Sequence, residues 1–440
     1  MKPPKSKMAE LAHNATGGEK SRAETAESAE FKMTELGPIP VDWEVKRLGE
    51  IWSSFKTGPF GSSLHAQDYV ENGTPLINPM HIQDGKIEPS PDMTVDDATK
   101  QRLSAYKLSQ DDIIIGRRGE MGRAALVGEK EIGWLCGTGC FFLHLDESCC
   151  PNYIALYLRT PASVAALEGE AVGTTLVNLN RKILGDLKLP LPPLAEQRRI
   201  AGALSDVDEL ISALGKLIEK KRNIKTGAMQ QLLTGKTRLP GFKGKWVEKR
   251  LGDVATMFAG GTPPSNVDRY YGGAIPWVSI SDISVADKFI NETVEQLTEE
   301  GLNNSSVKWY PDNTLLFAMY ASIGKCCITR RRMTSSQAIL GIYNLVDLDI
   351  EFLYYLLTFR NGEFLAMSQT GTQSNLSKAI VGNVVVKTPS LVEQKAIAAV
   401  LSDMDAEIAA LEADQVKYAR IKSGMMQELL TGKTRLRKGN

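Results

Sequence analysis

Apolar residues fall at Ile200, Leu204, Val207, Ile211, Leu214 and Ile218, and again at Ile397, Leu401, Met404, Ile408 and Leu411, in steps of four and three. Lys, Arg, Glu and Asp fill the positions between. This is the spacing of a coiled-coil seam and predicts two long amphipathic helices. Pro192, Pro193 and Pro389 stand just before the stripes, and Gly235 and Gly432 just after them, as helix punctuation requires. In the first copy the acids Glu196, Asp206, Asp208 and Glu209 crowd the front and the bases Lys220, Lys221, Arg222 and Lys225 the back, matching the helix dipole. About 39 residues at 1.5 Å rise make each helix a rod of roughly 58 Å. A helix of ordinary length would simply pack on its own globular unit; a seam this long, present in both copies, makes each helix the natural partner of the other. Lys221, Lys225, Gln415 and Lys422 occupy seam positions and leave the outer ends of that pairing open. Between the helices, short apolar runs at 74–78, 112–116, 140–145, 275–280, 314–318 and 338–345 read as buried strands bounded by Gly, Pro, Asn and Asp. Residues 152–158 and 351–358 read as short helices.

The chain also contains itself. Residues 191–239 align without a gap to 388–436 at an offset of 197, with 27 of 49 positions identical. Both copies carry Leu-x-Glu-Gln (Leu194, Glu196, Gln197; Leu391, Glu393, Gln394) and Leu-Leu-Thr-Gly-Lys-Thr-Arg-Leu, beginning at Leu232 and at Leu429. Upstream, Trp43 with Lys46-Arg47-Leu48-Gly49 returns as Trp246 with Lys249-Arg250-Leu251-Gly252 at an offset of 203. The segments between these anchors resemble each other only in outline. The chain is thus a tandem duplication of two large units rather than a solenoid, which needs shorter periods and more copies. The expected fold class is α/β (α+β): two β-rich α/β units joined by two long helices. The expected segments are a flexible tail 1–30, a first unit 31–190, a helical spacer 191–240, a second unit 241–387 and a second spacer 388–440.

Composition adds little and excludes more. In 440 residues, 52 Lys and Arg balance 52 Asp and Glu, so any nucleic-acid surface must come from local basic clusters offset elsewhere. There is no signal-peptide core and no apolar stretch long enough to span a membrane, which reads as a cytoplasmic protein without a membrane partner. The six cysteines form no zinc-type spacing and read as reduced packing thiols; no metal site is expected. Gly235-Lys236-Thr237 and Gly432-Lys433-Thr434 imitate the end of a phosphate-binding loop, but Gln230 and Gln427 stand where its first Gly belongs. Asn78-Pro79-Met80 resembles the start of an amino-methyltransferase motif without its stacking aromatic, and Asp97 and Lys100 are one residue too far apart for a nuclease site. No catalytic constellation is complete.

What remains are loop clusters suited to DNA. The first unit offers Lys56, Ser62, Ser63, Arg117, Arg118, Arg123, Thr174, Thr175, Asn178 and Arg181. The second offers Thr262, Arg269, Tyr320, Lys325, Gln373, Ser374, Asn375 and Lys378 at matching places. Arg and Lys neutralise phosphates or read guanine, Asn and Gln read adenine, and the interspersed glycines permit close backbone approach. A solvated surface role is the commoner fate of any one of them; recurrence in two diverged units favours the set, although common ancestry would also preserve it.

The run from Phe31 through Gly37-Pro38-Ile39-Pro40 to Trp43, the Leu-x-Glu-Gln pairs, the repeated Leu-Leu-Thr-Gly-Lys-Thr-Arg-Leu and Leu239-Pro240-Gly241-Phe242 to Trp246 resemble the specificity (S) subunit of type I restriction-modification systems. The resemblance covers nearly all of the chain from about residue 31. It implies that each diverged interior is a target recognition domain reading one half of a split, asymmetric double-stranded DNA site. It implies that the two helices form an antiparallel pair with internal pseudo-two-fold symmetry, set the spacing and carry two methyltransferase (M) subunits, to which restriction (R) subunits attach. S-adenosylmethionine, ATP and Mg would then belong to those partners, with no cofactor and no catalytic residue in this chain. A self-contained DNA methyltransferase or nuclease, and a scaffold that never touches DNA, remain the alternatives.

Overall fold

The apolar runs fold as strands and the two seams as helices, grouped into two units: Met1–Ser212 with Val416–Asn440, and Ala213–Gln415. The computed structural model describes residues 30–59, 63–170, 178–369 and 375–437, so the expected tail lies outside the described residues except for Glu30. The long helices are Leu194–Leu232 and Leu391–Leu429, 39 residues each. Each is divided between the units, its first half in one and its second half in the other. The sequence segments end where the helices begin, whereas the compact units cut through them.

The first unit is framed by β1 (Glu44–Arg47), β2 (Trp52–Thr57), β3 (Ile113–Gly116), β4 (Ala124–Leu126), β5 (Cys140–Leu145) and β6 (Lys188–Leu191). Its main sheet is antiparallel in the order β4-β3-β5-β2. Strand period two sends Ile113, Ile115, Phe141 and Leu143 into the core shared with the helices, and Ile114 and Phe142 into a second core behind the sheet. Burial on both faces is why these strands read as unbroken apolar runs. The second unit repeats the plan with β7 (Val247–Arg250), β8 (Thr256–Ala259), β9 (Phe289–Ile290), β10 (Leu315–Ala318), β11 (Cys326–Thr329), β12 (Ile339–Tyr343) and β13 (Val385–Thr388). Its sheet order is β8-β12-β10-β11-β9. Leu315, Phe317, Leu340 and Ile342 face the helices, while Leu316, Ala318 and Ile339 face away.

The two sequence offsets acquire a physical meaning here. β1 pairs with β6, Arg47 opposite Lys188, and β7 pairs with β13, Arg250 opposite Val385. The anchors repeating at 203 and at 197 are therefore hydrogen-bonded neighbours. Each interior enters and leaves through one two-stranded ribbon, so its length can change by six residues without disturbing the helices.

The shared motifs close each unit. Glu196, 2% exposed, accepts from Arg435 at 2.7 Å through both carboxylate oxygens and from Trp43 Nε1 at 3.2 Å. Arg435 also grips Asp42 at 2.7 and 2.8 Å and lies over the Trp43 ring. In the second unit Glu393, 1% exposed, takes Arg238, which lies over Trp246. The Arg of one repeat copy thus completes the Glu of the other. Lys245 stands where Asp42 would repeat, so this clasp has one carboxylate fewer, and Trp246 Nε1 is buried without an acceptor. Gln197 donates to Pro192 O and accepts from Cys150 N, which opens the helix Pro151–Leu158; Gln394 does the same for Pro389 O and Asp349 N, which caps Ile350–Phe359.

The helix halves pack antiparallel within each unit. Ile200 and Leu204 join Leu429 and Leu430 while also contacting the first unit's core around Tyr153, and Ile397 and Leu401 do likewise with Leu232 and Leu233 in the second. Leu214, Ile218 and Ile408 are buried; Val207, Ile211, Met404 and Leu411 are half-buried. The seam lysines find acids: Lys422 meets Asp208 at 2.6 Å in the first unit, and Lys225 meets Asp405 and Lys221 meets Glu407 in the second. Gly235 and Gly432 take φ of +69° and +75°, so the Gly-Lys-Thr tripeptides are helix C-terminal turns. No helix among the described residues is long and apolar enough to cross a membrane.

Candidate nucleic-acid interface

Each main sheet ends in a hairpin, residues 117–123 between β3 and β4 and 319–325 between β10 and β11. Four of the eight basic candidates, Arg117, Arg118, Arg123 and Lys325, lie in these hairpins, and three of the four are held by the protein itself, as are most of the others. Arg117 lies over Phe141 and donates from Nε to Asn178 Oδ1 at 3.2 Å; burial lowers its pKa from the usual guanidinium value. Arg123 pairs with Glu120 at 2.9 Å and donates to Pro79 O. Arg181 covers Trp52 and Phe55, and Lys56 donates to Ala105 O. Ser63 accepts from Arg102 through its carbonyl. In the second unit Lys325 donates to Ser284 O, Arg269 pairs with Glu300 at 2.6 Å, and Thr262 bonds Gln337.

Arg118, Asn178, Tyr320, Asn375 and Lys378 are exposed. Arg118 is bridged by its backbone to Asn178, and Leu376, next to Asn375, donates to Met319 O, one residue before Tyr320. Arg181 and Lys378 begin equivalent short helices, Arg181–Asp186 and Lys378–Gly382. Ser62, Thr174, Thr175, Gln373 and Ser374 lie outside the described residues.

One cluster lies outside the repeat-matched candidates. Arg330, Arg331 and Arg332 are consecutive and exposed, with no acidic partner among the described residues. Arg330 stacks on Phe289, 3.5 Å from the ring centre, and Arg332 on Trp309 at 4.4 Å. Its sequence signal is the triplet itself, the longest run of one charge sign in the second unit's loops. The six cysteines are unpaired, and burial pushes the Cys149 and Cys326 thiols up to about 11, leaving them protonated packing groups.

Residues 40–223 and 243–418 match the model of the family described as type I restriction modification DNA specificity domain. The type I restriction enzyme MjaVIII specificity subunit of Methanocaldococcus jannaschii is 26% identical over 423 residues, covering 91% of this chain and 95% of the relative. A second chain of that organism, named for the type I restriction enzyme MjaX, is 27% identical over 428 residues, covering 92% and 97%. The crystal structure of a type I restriction-modification S subunit from M. genitalium superposes with a TM-score of 0.57 at 16% identity, covering 88% of this chain and 96% of that one. A chain from a structure describing complex assembly and conformational transition of the type I system superposes equally well, at 0.57 and 19% identity, covering 90% and 99%.

Proposed function

Since the chain belongs to the family of type I restriction modification DNA specificity domains and is a non-catalytic specificity subunit, we propose that it reads a bipartite, asymmetric site on double-stranded DNA, one half per unit. The observation that carries this reading is the pair of hairpins 117–123 and 319–325: one backbone plan, two different sets of exposed side chains. Two readers of common ancestry and unlike tips are what two independent half-sites require. Two M subunits dock on the long helices, with R subunits attached through M. Ile224 and Ile421, the same position of the repeat, are 47% and 41% exposed, one per unit, which supports two copies of one partner. Adenine methylation with S-adenosylmethionine, and ATP- and Mg-dependent translocation and cleavage, belong to those partners. Its work is in the cytoplasm, in keeping with six unpaired cysteines.

A salt titration of duplex binding by the full-length chain tests this reading. Affinity should fall steeply and log-linearly with salt, and a selected sequence should outcompete random duplex. Binding that ignores salt and sequence would return the chain to the scaffold alternative; methyl transfer or cleavage by the chain alone would return it to the enzymes.

A further inference from the structure

The two readers carry unlike side chains on two hairpins of one turn plan. Residues 117–123 and 319–325 correspond one to one at a shift of 202. Gly116 N–H donates to Arg123 O at 2.8 Å, and Ala318 N–H to Lys325 O at 2.9 Å. Gly119 and Ala321 both adopt left-handed φ, +82° and +51°, and Gly122 and Gly324 both take +80°. The first loop residue is held from two sides: Arg117 N–H donates to Gly139 O and its carbonyl accepts from Leu179, while Met319 makes the same bonds to Ala338 and Leu376. A Cβ on Gly122 would stand 2.4 Å from Val164, and one on Gly324 1.9 Å from Asn361, so neither turn accepts a larger residue there. Two interiors that share little sequence have kept these bonds and turn angles, although the second hairpin adds Gly324 N–H to Ala318 O and Lys325 N–H to Ser322 O, which the first lacks.

On the frame, the second loop position holds Arg118 in one unit and Tyr320 in the other. Both are exposed, and neither side chain has a partner among the described residues. The cations around them are committed: Arg117 to Asn178 and Phe141, Arg123 to Glu120 and Pro79, Lys325 to Ser284. A free guanidinium presents the fork that matches O6 and N7 of guanine, whereas a phenol offers one hydroxyl and an apolar ring and cannot make that bidentate contact. Resting on the two-reader account above, we propose that residues 118 and 320 are equivalent base-reading positions, Arg118 selecting guanine in one half-site and Tyr320 a different base in the other.

Selection of bound duplexes from a randomised library, by the full-length chain and by Arg118→Lys, Arg118→Ala and Tyr320→Ala, tests this. Arg118→Lys keeps the charge and loses the fork. Its discrimination should fall by about 5- to 150-fold at one guanine of one half-site, with the other half and the salt slope unchanged. Tyr320→Ala should flatten one position of the opposite half only. Uniform weakening on all sequences by Arg118→Ala, with every base preference kept, would make Arg118 a phosphate ligand and overturn the assignment. A change in both halves from either variant would overturn it equally. If the wild-type chain selects no split motif, the two-reader account itself fails, an outcome separate from wild-type selection that the variants leave intact.

Discussion

Replacing Arg435 with Ala removes the guanidinium that neutralises a carboxylate with 2% exposure. Glu196 would keep Trp43 Nε1 at 3.2 Å and Leu436 N at 3.3 Å as donors, both neutral. Stripping one partner from a buried ion pair costs about 3–5 kcal/mol, because the remaining charge stays uncompensated. The Asp42 arm adds little, since Asp42 is 41% exposed at its side chain and solvent screens such a pair to about 1 kcal/mol or less. Arg435→Ala should therefore cost about 3–5 kcal/mol in the first unit. Hydrogen exchange read by mass spectrometry is the suitable assay, because a chain of two units does not unfold in one step. Protection should drop in residues 38–48, 194–212 and 416–430 and persist in 391–415. Arg238→Ala should reverse the pattern, exposing 391–401 and 229–239. Adding Glu196→Gln to Arg435→Ala should restore much of the stability by removing the stranded charge. Equal losses below about 1 kcal/mol for both single variants, or loss spread over both units, would mean that these pairs are not buried, unit-specific clasps.

Changing Arg330, Arg331 and Arg332 together to Ala should lower the slope of log affinity against log salt by about one for each phosphate that is no longer neutralised, without altering the selected sequence; a binding isotherm series checks it. Lys422→Ala and Lys225→Ala each remove one half-buried interhelical pair and should cost about 1.5–3 kcal/mol, measured as local exchange in the paired helix segments. His81 is buried with Nε2 unpartnered, and burial lowers its pKa below 6.5. The unfolded chain then binds the proton first, so stability should begin to fall as pH drops below about 6.5 and keep falling toward the lower folded value. His81→Asn, which keeps an acceptor for Asn78 N–H, should lose that part of the pH dependence in denaturant titrations of the first unit.

Much of this architecture is legible in the sequence because it follows periodicity. The seam steps from Ile200 to Ile218 become helices of the expected length, and runs such as Ile113 to Gly116 become strands because burial on both faces leaves no polar interruption. Partner choice is not legible. Nothing in the repeat says whether Arg238 meets Glu196 or Glu393, since both lie equally well placed in sequence and only packing decides. The same holds for Lys225 and Lys422, which break the apolar stripe yet pair with Asp405 and Asp208. Among the DNA candidates, residue type alone does not separate Arg117 and Arg181, committed to aromatic rings, from Arg118, which is free. The Arg330 triplet has no counterpart in the first unit, so matching one repeat against the other passes over it.

On this reading one chain specifies two unrelated half-sites. Mapping methylated adenines across the host genome, with and without this gene, measures it most directly. The predicted result is one split motif, two dissimilar halves around an unread spacer of fixed length, that disappears with the gene. Methylation unchanged by the deletion, or the disappearance of a motif that is single and contiguous, would contradict it.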